Sequence, residues 1–179
     1  VMVEKIPNEI LVFMNNDIEI LDPHWLEAMI EHIHRTGVGA VGARLLSRRG
    51  YLKHGGMAFT TTAAGCAFNL DMDDEFYTRV QREVSGVSAA CMMIRRSVFR
   101  AVGGFDEVQF PIGFSDADLC LRLRRAGHRI VYTPFAVLGH YESASRKTHE
   151  ESYEKFALYE RHAGDSQMRD PNYKTIPAE

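Results

Sequence analysis

Ile10-Leu11-Val12-Phe13-Met14-Asn15-Asn16-Asp17 is the stretch that decides how the rest of this chain is read. Five apolar residues in a row are too few for a helix and too uniform for a strand with one wet face. They predict a strand buried on both faces, as at the centre of a parallel sheet. The run stops abruptly at Asn-Asn-Asp. Polar residues at the carboxyl end of a central strand are where open α/β sheets take their ligands.

Working outward, Asp22 predicts a helix N-cap with Pro23 in the first helical position. Leu26, Met29, Ile30 and Ile33 then fall on one buried face, and Gly37 ends the helix. Residues 39–46 predict a second strand. Between 47 and 84, Gly50, Gly55, Gly56 and Gly65 with Thr60-Thr61-Thr62 predict turns and short hairpins. Asp71 to Glu75 (DMDDE) reads as a surface loop. Residues 87–94 (VSAACMMI) predict another buried strand, and 97–102 a short helix closed by Gly103-Gly104. Ser115 is the expected cap of a helix over 116–126, with Asp118 three residues on as in a capping box. Strands are expected over 129–132, stopped by Pro134, and over 136–138, ending at Gly139-His140. A last helix over 150–163 puts Tyr153, Phe156 and Ala157 on one face. The sum is mixed α/β in a single domain, residues 1–179. A complete doubly wound nucleotide-binding domain would need further strand-helix units before Ile10.

The chain has 179 residues, 45% hydrophobic and 25% charged, with a formal net charge of -3. That allows one sizeable core and excludes a disordered chain. With no basic stripe or polybasic cluster, nucleic acid is not an expected partner. Three cysteines, Cys66, Cys91 and Cys120, do not describe a disulfide framework. Cys91 and Cys120 sit in apolar runs as small core residues, which fits a reducing compartment. No run reaches the ~18 apolar residues of a membrane span. A cytoplasmic place is expected, with the inner face of the membrane also open to the full-length protein.

Three short segments carry chemistry. Asn15-Asn16-Asp17 is either a capped turn or a set of oxygen ligands for Mg²⁺ or Mn²⁺, a cation that neutralises a diphosphate leaving group. Asp116 opens the helical face formed by Leu119, Cys120 and Leu123. At a helix N-terminus its carboxylate is stabilised by free N–H groups, as a cap or as a general base. Asp118 reads first as a cap or salt-bridge residue. His140, following a strand and a glycine with Ser143 and Ser145 close behind, is a hydrogen-bonded structural residue or joins Asp17 in a mixed N/O metal site. His32 and His34 do not face one another on a helix. No P-loop, GxGxxG, GxSxG or CxxC pattern competes with these.

Taken together, the segments resemble the second half of the family 2 glycosyltransferases of GT-A fold, most closely the rhamnosyltransferase and O-antigen type. Asn15-Asn16-Asp17 after its strand looks like the family's DxD-type metal motif, and Pro23-His24-Trp25-Leu26 like the helix that follows. Val84-Ser85-Gly86 and Arg95-Arg96 flank what looks like the acceptor-side strand. Val102-Gly103-Gly104-Phe105-Asp106-Glu107 resembles the family's GGFDE turn, and residues 116–123 (DADLCLRL) its DvDLclRl helix. Gly127, Tyr132, Pro134, Ala136, His140 and the tail Asp170-Pro171-Asn172-Tyr173 continue in register.

The resemblance implies a partial GT-A sheet with flanking helices, without the N-terminal half that holds most of the nucleotide. It implies an inverting, metal-dependent transfer of a sugar from a nucleotide-diphosphate donor to a glycan or lipid-linked glycan acceptor. Asp17 would bind the divalent cation, Mg or Mn, with His140 as a further ligand and Asn15 near the ribose or the metal. Asp116 would deprotonate the acceptor hydroxyl. Asn16, Gly86 and Ser115 would line the substrate site. Ser115 stands where many members carry Glu, and Arg161-His162 where an Arg-Trp or Lys-Trp pair is expected. The chain alone is expected to be inactive, and to self-associate through the strand edge it leaves open. The competing reading is a non-catalytic glycan-binding or scaffolding module that keeps the fold.

Overall fold

The apolar runs form strands of one mixed sheet. The computed structural model describes residues 2–5, 7–59, 68–69, 78–141 and 148–164. Its strands are β1 (Ile10–Met14), β2 (Ile18–Ile20), β3 (Val38–Leu46), β4 (Leu52–His54), β5 (Met57–Ala58), β6 (Phe68–Asn69), β7 (Arg82–Val84), β8 (Cys91–Arg95) and β9 (Arg129–His140). Its helices are α1 (Trp25–Ile33), α2 (Arg96–Ala101), α3 (Ser115–Arg125) and α4 (Thr148–His162). Among the described residues the main sheet runs β1-β8-β3-β9-β2, with β4 paired to β3 and β7 to β9, while β5 and β6 pair apart. The central pair, β3 and β9, is parallel, and β8 runs antiparallel to both β1 and β3. Helices cover both faces, which is why β3 is buried without a break from Val38 to Ala43. One core joins Leu11, Met92 and Ile94 to Leu119, Leu121 and Leu123 of α3. The other seats Met29 and Ile33 of α1 on Val41, Met93 and Leu138. Each fully buried leucine of α3 contributes roughly 1.5–3 kcal/mol.

Several expectations are corrected. Residues 10–14 form a strand, but it pairs antiparallel to β8 and is not buried on both faces. Leu11 is buried, whereas Val12 and Met14 are 36% and 39% exposed. The cause is cover. Phe13 stacks on Phe99 and Phe105 on one face, while on the other α1 lies mainly over β3 and β9. Helix α1 begins at Trp25 with His24 as its cap residue. Asp22 instead closes a turn, its Oδ1 accepting the His24 N–H at 2.8 Å. Met29 and Ile33 are buried, but Leu26 and Ile30 are exposed and His32 takes their place inside.

The two strands expected on either side of Pro134 are one strand, β9. Its register against β3 jumps from Ala43↔Thr133 to Arg44↔Val137. The residues between bulge out, so Pro134 has no ladder bond to lose and Phe135 is exposed. The strand predicted over 87–94 starts later, at Cys91, and residues 87–90 form a loop. Ser115 does not cap α3. Phe114 holds the cap position in a left-handed conformation (φ 55°) with no side-chain cap bond, and Ser115 is the first helical residue. On α4 the buried positions are Glu154, Ala157, Leu158 and His162, while Tyr153 and Phe156 are exposed. Cys91 and Cys120 are buried, unpaired thiols, both pushed up to about 12 by burial. Thr60 to Thr62, Gly65, Cys66, the 71–75 acidic run, Ser143, Ser145 and the 170–173 tail lie outside the described residues.

Candidate active site

The site grows from the sheet's pairing pattern. The end of β1, Met14, lies opposite Cys91, the first residue of β8. The loop that enters β8 is thereby brought beside the Asn-Asn-Asp turn, and the Asn15 N–H donates to the Ala90 carbonyl at 3.1 Å. The turn leads into β2, whose Ile18 pairs with His140 at the end of β9. The Tyr141 N–H then donates to the Asp17 carbonyl at 3.2 Å. Two backbone pairings therefore place Asn15 and Asp17 against a histidine 125 residues away from Asn15.

Asn15 Nδ2 lies 3.3 Å from His140 Nε2, and Asp17 Oδ1 lies 3.5 Å from the same nitrogen. The Asp17–His140 approach lacks hydrogen-bond geometry, so Asp17 Oδ1 is buried with no hydrogen-bond partner. An unsatisfied buried carboxylate oxygen is costly and calls for an explanation. A cation supplies one. Carboxylate, imidazole and amide together make an N/O donor set of the kind Mn²⁺ or Mg²⁺ accepts. The orientation of the Asn15 amide is assigned by its surroundings, and the opposite orientation turns its oxygen to the same point. Among the described residues no three His, Cys, Asp or Glu side chains gather to hold a metal. A cation held here would thus keep positions open for phosphate oxygens, as Mg²⁺ sites commonly do.

Asp116 sits in the first turn of α3, half-buried. Its Oδ2 accepts the Ala89 N–H at 3.0 Å and its Oδ1 the Ala117 N–H at 2.8 Å. The loop that holds it is itself fastened. Ser88 donates its N–H to Nε2 of the buried His54, and Ser88 Oγ accepts the Ala90 N–H. Ala90 thus holds the turn that bears Asp17, and Ala89 holds Asp116. Gly86 is buried with Phe59, Cys120 and Met57 so close that a Cβ would meet them at 3.1, 3.2 and 3.3 Å. Asn16 is exposed and Ser115 half-buried.

The family model described as glycosyltransferase-like family 2 matches residues 2–164. The chain belongs to this family. It is 40% identical over 158 residues to the uncharacterized protein y4gI of Sinorhizobium fredii, and 41% over 145 residues to the O-antigen biosynthesis protein RfbC of Myxococcus xanthus. Those alignments cover 86% and 78% of this chain but only 17% and 11% of the relatives' lengths. A 65-residue match at 43% identity, covering 36% of this chain and 21% of the relative, is to an N-acetylglucosaminyl-diphospho-decaprenol L-rhamnosyltransferase of Mycobacterium tuberculosis. Among solved structures the fold resembles GalNAc-T7 with UDP, GalNAc and Mn²⁺, at a TM-score of 0.61 and 13% identity, covering 80% of this chain and 30% of that one. It also resembles a Pyrobaculum calidifontis mannosyltransferase with GDP-Man and Mn²⁺, at 0.56 and 13%, covering 89% and 41%. The expected α/β fold of GT-A type, present in part, is the one observed.

In this family 2 glycosyltransferase chain Asp118 is not the second half of a capping box. It is fully buried, and its Oδ1 meets Arg161 at 3.1 Å and His162 at 2.9 Å. Its Oδ2 accepts from Arg122 at 2.8 Å. Burial pushes its pKa up, but hydrogen bonds from His162, Arg122 and Arg161, with the Arg122 charge, outweigh that and hold it at about 2. Arg122 also reaches the Gly104 carbonyl, and Arg161 reaches Asp106. The family's GGFDE-like turn is thereby tied to α3 and α4. Sequence reasoning missed the α4 residues in this arrangement. The signal was present: Glu154, Ala157, Leu158, Arg161 and His162 follow helical spacing, a stripe of charge on an inward face.

Proposed function

We propose that the chain is the cation- and acceptor-binding part of an inverting glycosyltransferase that moves a sugar from a nucleoside diphosphate donor to a hydroxyl of a glycan or lipid-linked glycan. The observation that carries the reading is the buried, unpartnered Asp17 Oδ1, 3.5 Å from His140 Nε2, at the edge where the sheet's pairings also bring the Asp116 loop. Asp17, His140 and the Asn15 amide are the residues that would hold the cation. A bound divalent cation would neutralise the charge that develops on the departing diphosphate.

The chain's own residues do the rest. Asp116, fixed by two backbone N–H groups, accepts the proton of the acceptor hydroxyl. The resulting oxygen forms its bond to the anomeric carbon from the face opposite the diphosphate, whose bond to that carbon breaks, so configuration inverts. Fastening the 87–90 loop to His54 keeps the base and the cation turn at a fixed separation, the entropic part of catalysis. UDP and GDP-Man, named with the two structural neighbours, support a nucleoside diphosphate sugar as donor, and the rhamnosyltransferase match makes a deoxyhexose donor the first to try. Because the chain covers 30% and 41% of those neighbours, the isolated chain is read as inactive and the full-length protein as the enzyme. No described helix is long and apolar enough to cross a membrane, and a cytoplasmic place is part of the same proposal.

The test is donor turnover by the full-length protein with Mn²⁺ or Mg²⁺, compared with Asp17→Ala and Asp116→Asn. Loss of cation-dependent donor binding in Asp17→Ala, and loss of turnover with donor still bound in Asp116→Asn, is the expected pair of results. Donor binding that ignores both the cation and Asp17→Ala would overturn the cation role. Wild-type turnover in Asp116→Asn would overturn the base.

A further inference from the structure

We infer that Glu154, on α4, is a positioning residue for the Asp116 carboxylate. The inference rests on the reading of Asp116 as the base, and adds that the base is aimed from another helix. Glu154 is only 2% exposed. A buried carboxylate needs partners, and this one spends each oxygen on the main chain. Its Oε1 accepts the Ile112 N–H at 2.9 Å and its Oε2 the Gly113 N–H at 2.6 Å. Those are consecutive residues at the end of the loop that delivers α3.

The next residue is Phe114, which has φ 55° and ψ -3° and is the one non-glycine residue with positive φ among the described residues. A bulky residue in that conformation persists only where its surroundings over-determine it. The cap residue Phe114 makes no side-chain cap bond to α3, so the helix entry lacks the usual side-chain anchor. Glu154 fixes the Ile112 and Gly113 amides that lead into Phe114, and the side chain of Phe114 packs on the core. Ser115 and Asp116 follow at once. Past Asp116, α4 grips the helix again, through Arg161 and His162 on Asp118. The base therefore lies between two clamps from a single helix. Without the first clamp, Phe114 is free to leave the left-handed region, and the first turn of α3 rotates Asp116 away from Ala89.

The experiment uses the full-length protein and a double-mutant cycle between Glu154 and Asp116. Glu154→Gln keeps the volume and replaces one acceptor oxygen by an NH₂ that faces an N–H. In it, kcat measured on the folded protein is expected to fall at least tenfold with donor KM close to wild type, while the unfolding midpoint drops because one buried N–H loses its acceptor. In the Asp116→Asn background, where the base is already gone, the same change is expected to alter the residual turnover by less than twofold. Hydrogen exchange at the Ile112 and Gly113 amides is expected to speed up. An unchanged kcat in both Glu154→Gln and Glu154→Ala overturns the inference, as does a tenfold fall that persists in the Asp116→Asn background. Wild-type turnover in Asp116→Asn alone is the separate signature of failure of the base reading itself.

Discussion

Asp116 and Asp118 stand two residues apart on the same helix and have opposite fates. Asp116 is half-buried and its carboxylate accepts two backbone N–H groups. Asp118 is fully buried and bonded to Arg122, Arg161 and His162. The difference teaches where a carboxylate's free energy goes. Hydrogen bonds from two arginines and a histidine lower the basicity of Asp118 and commit it to holding α3, α4 and the Gly103-Gly104 turn together. Backbone donors fix the direction of Asp116, the carboxylate that the proposed function turns toward the acceptor hydroxyl. A 100° step per residue separates the two sides of the helix that receive these groups.

The contrast can be broken by substitution. The largest effect expected is in Asp116→Asn, where turnover of the full-length protein falls by about 10²–10⁴ while urea unfolding stays near wild type. A variant that unfolds and still turns over when folded would show that the two carboxylates are not divided in this way. Next in size is Asp118→Asn. It leaves Arg122, Arg161 and His162 facing a neutral amide, and is expected to lose about 3 kcal/mol in a urea titration. Cation-dependent donor binding should survive in the folded fraction.

Acid sharpens the comparison without mutation. Asp118 has its folded pKa at about 2, below the ordinary 3.8. Its contribution is fully present above about pH 4 and is lost as pH falls through 2, on the order of 2 kcal/mol. Unfolding free energy measured from pH 5 to pH 2 should fall more steeply in the wild type than in Asp118→Asn. The smallest effect is expected at the other side of α4. Tyr153→Ser and Phe156→Ser remove exposed rings and should change stability by no more than about 0.5 kcal/mol each in thermal unfolding.

Legibility in the sequence followed the range of the interaction that decides each element. Local signals were readable: the apolar run of β1, the Gly103-Gly104 turn, the body of α3, and Gly37 in the left-handed region (φ 79°) after α1. The cation turn was readable as a candidate because Asn15, Asn16 and Asp17 follow a strand directly. Pairing partners were not. Nothing local in residues 10–14 says that the neighbouring strand is antiparallel. Pro134 reads as a stop because the register jump that excuses it belongs equally to β3. The buried face of α4 was misread because Tyr153 and Phe156 are the more apolar choice. The helix turned instead toward the charges and backbone donors waiting on α3 and its entry loop. Glu154 and His162 are buried because of what they meet there.

The parallel pairing of β3 with β9 and the late return of β2 to β9 have a kinetic consequence. Asn15 and His140 close a loop of 125 residues, and contacts so distant along the chain are among the slowest to form. On a ribosome, Asp17 is synthesised long before its histidine. A nascent or prematurely released chain that stops short of β9 lacks the strand that pairs along β3 and packs under α1, and lacks His140 as well. Under the proposed function, cation uptake would report the pairing of β2 with β9 that brings His140 to Asp17.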